Sequence, residues 1–206
     1  MPTSDRPVFR LKEAGRSNAR LARLNRELGL PSYDLLLVGD GSGTGGWQSD
    51  IGLGWACVCV EMSSGRRDLV SGAWSVGPIE VAELMAYFHS LLAFDRRRGD
   101  ALRQKLKRPV SVLVLTDNQV IVDQSRTQLL SSSVSADKCN RSTSPIWSGV
   151  RDIAKSGYVL TFKHIPRVSI RLNQICDRLA GESRKALIGT VTEWPDEGRL
   201  LSANKD

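Results

Sequence analysis

Histidine and cysteine are scarce in this chain, two and four residues respectively out of 206. Cys57, Cys59, Cys139 and Cys176 include no C-x-x-C pair, and so few imidazoles leave no ligand set for a zinc site. Long apolar runs are missing too: nothing approaches the roughly 18 residues that a membrane helix requires, so no membrane partner is expected. The opening MPTSDRPVFR lacks the apolar stretch of a secretory signal. Together with the cysteine usage, this predicts a reducing, cytoplasmic compartment. No internal repeat is present. What remains is a chain that is 41% hydrophobic and 25% charged, enough for a sizeable core and against wholesale disorder or a disulfide-stapled miniature.

The formal charge of +7 is unevenly spread. From Met1 to Ser32, Arg6, Arg10, Lys12, Arg16, Arg20, Arg23 and Arg26 face only Asp5, Glu13 and Glu27. From Asp95 to Arg108, Arg96, Arg97, Arg98, Arg103, Lys105, Lys107 and Arg108 face Asp95 and Asp100. Outside these two segments the chain is net negative. Clustered cations of this kind displace condensed counterions from phosphates, which is what a polyanion-binding surface requires. Two solvated faces would read the same way.

Periodicity divides the chain into a basic helical extension (1–32), a main domain (33–190) and an aperiodic tail (191–206). Arg16 to Leu28 predicts an amphipathic helix through Leu21, Leu24 and Leu28, stopped by Gly29. In the main domain Leu35 to Val38 predicts a buried strand that ends in Asp40-Gly41-Ser42-Gly43. Ile51 to Met62, with Trp55, Cys57 and Cys59 on one face, and Leu69 to Val76 complete an antiparallel meander. Glu80 to Phe94 changes to a helical period, placing Leu84, Phe88, Leu91 and Leu92 together. Val110 to Leu115 is a second buried strand, reached through a helix and therefore parallel to an earlier neighbour; it too stops at an aspartate, in Thr116-Asp117-Asn118. Val120 to Leu130 predicts a helix, Ser131 to Ser144 a loop, and Pro145 the start of another helix through Ile146, Val150 and Ile153. Val159 to His164 is a fifth strand and Leu172 to Leu187 a last helix.

Four acidic residues stand in unusual places. Asp40 and Asp117 each sit at the carboxyl end of an apolar strand, where side chains from neighbouring parallel strands converge. A buried carboxylate there needs a cationic partner or becomes protonated. Glu83 lies in the first turn of a helix whose other residues face inward, and Asp177 lies beside Ile175, Cys176 and Leu179, near the packed side of the last helix. A hard divalent cation resolves the repulsion among such groups, and Mg2+ suits an all-oxygen ligand set. Two such ions about 3.5–4 Å apart can serve an in-line phosphoryl displacement. Read one at a time, the four residues also suit turn capping, a helix N-terminus and a solvated face.

The ordered set strand-Asp40-Gly41-Ser42-Gly43, glycine-rich hairpin, Ala82-Glu83-Leu84 on a helix, strand-Thr116-Asp117-Asn118-Gln119, and Cys176-Asp177-Arg178-Leu179-Ala180 on a late helix resembles type 1 ribonuclease H. The resemblance spans about Tyr33 to Leu187. It implies an α/β, ribonuclease H-like fold, with a five-stranded mixed sheet flanked by helices. It also implies hydrolysis of the RNA strand of an RNA/DNA hybrid, leaving 3'-hydroxyl and 5'-phosphate ends, with two Mg2+ ions for which Mn2+ is a possible substitute. Asp40 would bridge both metals, Asp177 would complete one, and Glu83 and Asp117 would hold the other. Gly41, Ser42, Asn118 and Gln119 would contact substrate.

Three departures from that family's pattern accompany the match. Where many members carry a mobile histidine, counting back from Asp177 gives Arg167. The string His164-Ile165-Pro166-Arg167 is similar to the reverse-transcriptase-like branch of the family; Arg167 could contact a phosphate but not shuttle a proton. His164 reads as a satisfied strand-end residue and His89 as a helix-surface or core one. The segment Gly77-Pro78-Ile79-Glu80-Val81-Ala82 carries none of the asparagines that read the RNA 2'-hydroxyl, the group that separates RNA from DNA. The family's basic protrusion is replaced by the serine-rich loop, so Asp95–Arg108 and the N-terminal helix are the expected phosphate-contact surfaces. The leading expectation is a magnesium-dependent endoribonuclease acting on the RNA strand of RNA/DNA hybrids by a two-metal mechanism. The alternatives are a same-fold DNA nuclease, resolvase-like or integrase-like, and a non-catalytic hybrid-binding module.

Overall fold

The computed structural model of the chain describes residues 26, 28–43, 52–74, 77–129, 143–166 and 170–187. Most of the expected N-terminal helix, the serine-rich loop, the carboxyl-terminal tail and Arg167 lie outside these residues. Among those described, no helix is long and apolar enough to cross a membrane.

Five strands form one mixed sheet in the order β3-β2-β1-β4-β5, with β1 Leu35–Ser42, β2 Leu53–Glu61, β3 Arg67–Trp74, β4 Val110–Thr116 and β5 Tyr158–His164. The first three make the expected antiparallel meander, and β4 and β5 run parallel to β1. The helices are α1 Ile79–Phe94, α2 Asp100–Leu106, α3 Gln119–Gln128, α4 Ser144–Lys155 and α5 Arg171–Leu187, with a π-helical turn, Asp95–Gly99, joining α1 to α2. Fold class and element order thus follow the sequence reading. Pro145 at the start of α4 fits the first helical turn, where no amide hydrogen is needed.

Alternation along the strands loads both faces of the sheet. Leu35, Leu37, Trp55, Cys57, Cys59, Val112 and Val114 pack with α1, α3 and α4. Leu36, Val38, Ala56, Val58, Leu113 and Leu115 pack with α5. The helix α1 is buried on nearly all sides rather than along one stripe, because α4 covers the face turned away from the sheet. Trp55 and Trp147 are core residues, and His89 is buried against the Trp55 indole in a stacked arrangement.

The second layer also takes in the end of the basic extension. Leu28 and Leu30 are buried beside Ile165, Ile170 and Leu172, and Lys163 donates a 2.9 Å hydrogen bond to the Leu28 carbonyl. The short turn Leu30–Ser32 then leads directly into β1.

The parallel pairing of β1 with β4 stops at Val38↔Leu115. Beyond it β1 stays with β2 as far as Ser42↔Gly54, while β4 stays with β5 at Thr116↔His164. The two central strands therefore part company just before Asp40 and Asp117, and a cleft opens at their carboxyl ends.

Because Leu30 is 2% exposed, Leu30→Ala is expected to destabilise the protein although the residue precedes the first strand. A loss of about 2–4 kcal/mol in denaturant unfolding is expected; a change under about 0.5 kcal/mol would show that this segment is not part of the folded unit.

Candidate metal centre

Three elements deliver three carboxylates to the cleft. Asp40 is the sixth residue of β1 and only 3% exposed; Glu83 stands in the second turn of α1 and is 6% exposed; Asp117 follows the last residue of β4 and is half-buried. One ligand oxygen from each lies within 4.8 Å of the others. The approach of α1 to β1 depends on Gly41, since a Cβ there would stand 2.8 Å from both the backbone nitrogen and the Cγ of Glu83. Gly41 therefore acts through its missing side chain.

Hydrogen bonds orient Asp40 and Glu83. The Gly41 amide donates to Asp40 Oδ1 at 2.8 Å. The Thr116 hydroxyl donates to Glu83 Oε2 and the Asn118 Nδ2 to Glu83 Oε1, each at 3.2 Å. Asn118 is committed at its other end as well: its Oδ1 accepts from the Val120 amide at 2.9 Å, capping α3. Its own amide donates to Thr116 Oγ1 at 3.1 Å. Both ends of the Asn118 side chain thus engage protein groups, Glu83 and the first turn of α3. His164 is exposed and its Nε2 donates to the Asp117 carbonyl at 3.2 Å, which makes it the satisfied strand-end residue expected.

Burial is the largest influence on Glu83 and pushes its pKa up to about 8, against the Asn118 hydrogen bond; the charges of Asp117 and Asp40 push the same way. A carboxyl held near neutrality by desolvation and by two like charges is poised to exchange its proton for a cation. The donor set is entirely oxygen, which fits Mg2+ or Mn2+ rather than zinc. The buried thiols supply no ligands. Burial pushes both Cys59 and Cys176 up to about 12, so they stay neutral and serve as packing groups.

The remaining expected site residues fall in different places. Asp177 is exposed on α5 and is not one of the three acids brought together. Its neighbour Cys176 faces the sheet, donating to the Val38 carbonyl at 3.1 Å. Ser42 closes β1 and is partly exposed; Gln119 is exposed at the start of α3, its Nε2 donating to Asp123 at 2.9 Å. Three of the seven basic residues of the segment Asp95–Arg108 are held in ion pairs, while Arg96, Arg97, Lys105 and Lys107 are exposed. Arg98 pairs with Glu61 and Asp68, Arg103 with Asp95 and Asp100, and Arg108 with Asp34. Glu83 lies near one end of α1 and this segment follows the other end, about 18 Å further along the helix axis. Arg98 and Arg108 bind acids at the opposite pole of the sheet.

The architecture is shared with solved ribonuclease H structures. LC11-RNase H1, isolated from compost and solved with an RNA/DNA hybrid, aligns with a TM-score of 0.57 and 20% identity, over 74% of this chain and 97% of that one. The N-terminal RNase H domain of a Mycobacterium tuberculosis protein, solved as a fusion with maltose-binding protein, aligns with a TM-score of 0.53 and 20% identity, over 75% of this chain and 96% of that one. RNase H1 of Halobacterium salinarum aligns at 0.50 with 16% identity, over 74% and 98% of the two chains. No protein-family model and no curated protein matches the sequence. The chain has the ribonuclease H-like fold, and at the cleft of that fold it carries an acidic cluster able to coordinate divalent metal.

The raised Glu83 value has a sign that can be measured. Protonated Glu83 contributes stability below the ordinary carboxylate range, and that contribution is lost as pH rises through about 8 in metal-free buffer. Glu83→Gln is expected to unfold at nearly the same temperature as the parent near pH 5 in chelator, and at a higher temperature near pH 9. If the two melting curves stay parallel across that range, Glu83 is not the titrating group.

Proposed function

We propose that the protein is a magnesium-dependent endonuclease that hydrolyses the RNA strand of RNA/DNA hybrids. The observation that carries this reading is the convergence of Asp40, Glu83 and Asp117 where β1 and β4 separate, on a ribonuclease H-like fold. A pure binder of polyanions gains nothing from a negative pocket, whereas a phosphodiesterase uses one to hold cations. Asp40, Glu83 and Asp117 would hold the metal, with Asp177 as the fourth acid of the set. Mg2+ bound there would supply Lewis-acid activation and neutralise charge developing on the phosphoryl group. The chain's own residues do the rest. Thr116 and Asn118 orient Glu83, the Gly41 amide orients Asp40, and Gly41, Ser42, Asn118 and Gln119 are assigned as substrate contacts. Arg167, outside the described residues, is assigned an electrostatic contact with a phosphate.

A labelled RNA/DNA hybrid, duplex DNA and duplex RNA, each incubated with and without Mg2+, test the proposal together. Metal-dependent cutting confined to the RNA of the hybrid is expected. Absence of any cut in the hybrid removes the reading. Asp40→Asn should lower turnover about a hundredfold or more while leaving the fold intact, since it withdraws a metal-holding oxygen. Asp177→Asn separates the fourth acid from the other three: unchanged turnover would take Asp177 out of the machinery.

One observation favours a second reading. Asn118 is engaged on Glu83 and α3, and the turn before α1 has no asparagine, so few side chains here are suited to a 2'-hydroxyl. Metal-dependent cutting of duplex DNA would assign the chain to the DNA nucleases of this architecture.

A further inference from the structure

Tyr87 lies one helical turn beyond Glu83 and is 2% exposed, among residues that read in sequence as ordinary core. Its hydroxyl, however, meets two backbone carbonyls from different strands, Gly39 of β1 at 3.0 Å and Leu115 of β4 at 3.2 Å. These carbonyls sit where the β1–β4 ladder ends, Leu115 in its last pair and Gly39 immediately after it. One residue beyond Gly39 is Asp40; two beyond Leu115 is Asp117. A single side chain thus joins the three elements that carry the three acids.

The ring is held as firmly as the hydroxyl. A Cβ at Gly39 would lie 2.7 Å from its Cε1, so the glycine makes the space the ring fills. Phe162 of β5 meets it edge-on, with centroids 6.1 Å apart and planes at 87°. Burial keeps the phenol protonated far above neutral pH, so it remains a donor. A phenylalanine would fill the same volume. What the hydroxyl adds is a fixed separation between two strand ends at the point where ladder hydrogen bonds no longer set it.

We propose that Tyr87 is a positioning residue of the carboxylate centre, its hydroxyl acting as a latch that sets the spacing of Asp40 and Asp117 about Glu83. The inference rests on the reading of that centre as a divalent-metal site. It assigns to a core tyrosine the role that outer partners play in metal centres, where ligand geometry is tuned by groups that never touch the ion.

Mn2+ titrated into the full chain, with the free ion followed by electron paramagnetic resonance, tests it without recourse to activity. Tyr87→Phe is expected to weaken Mn2+ binding about tenfold, the range seen when an outer partner of a metal ligand is removed. Val60→Ala, at the other end of the sheet beside Leu36, supplies a control that lowers stability without touching the latch; its Mn2+ affinity should stay within about twofold. Should Tyr87→Phe fail to fold, Gly39→Ala, which crowds the ring, takes its place with the same expected loss. Equal Mn2+ affinity in the parent and in a folded latch variant would overturn the latch. Equal losses in the latch variant and in Val60→Ala would reduce Tyr87 to a packing residue and overturn it too. Absence of Mn2+ binding in the parent chain would instead overturn the metal-site reading and the latch with it.

Discussion

Mutual repulsion among carboxylates crowded into one cleft is the constraint around which this molecule is built. Three acids with oxygens within 4.8 Å of one another cannot all ionise cheaply when two of them are buried. The fold meets that constraint by holding the acids on elements that cannot easily recoil. Asp40 is locked in a strand paired on both sides up to the divergence point, and Glu83 is braced by Thr116 and Asn118. The strand ends are pinned from beneath by the Tyr87 phenol. A softer scaffold would let the side chains swing apart into water. Here the strain is concentrated on Glu83, whose carboxyl keeps its proton near neutrality, and the centre is left with a standing demand for positive charge.

Much of this was legible in the sequence because the relevant signals are local. An apolar run that halts at an aspartate followed by turn residues marks Asp40 and Asp117 as strand-end acids, and the change of period before Glu83 places it early in a helix. A parallel partner for β4 among the earlier strands follows from the helical crossover before it, and the structure makes that partner β1. The succession of strands and helices along the chain was legible from the changes of period, and the five-stranded mixed sheet from the family resemblance.

What escaped the sequence depends on angles and on distant partners. Asp177 and Cys176 are adjacent, and periodicity alone does not say which of two neighbours on a helix boundary packs on the sheet; Cys176 does, and Asp177 is exposed. Asn118 reads as a polar group at a sheet edge, and only the fold shows that both its ends are engaged. Tyr87 is indistinguishable in sequence from a residue that merely fills volume. Within the basic run Asp95–Arg108 the ion pairs of Arg108 and Arg98 are invisible in sequence because their partners are remote: Asp34 lies 74 residues from Arg108, and Glu61 lies 37 from Arg98.

Those remote ion pairs carry a practical corollary. They fasten the pole of the sheet where β1 and β4 begin, and Arg108 in its pair with Asp34 is 45% exposed, open to mobile ions. Concentrated salt, the usual means of keeping a basic protein from aggregating during purification, screens such contacts. It would loosen the sheet from that end while leaving the hydrophobic layers intact, so a buffer chosen to discourage self-association would also erode the clasp that closes the molecule.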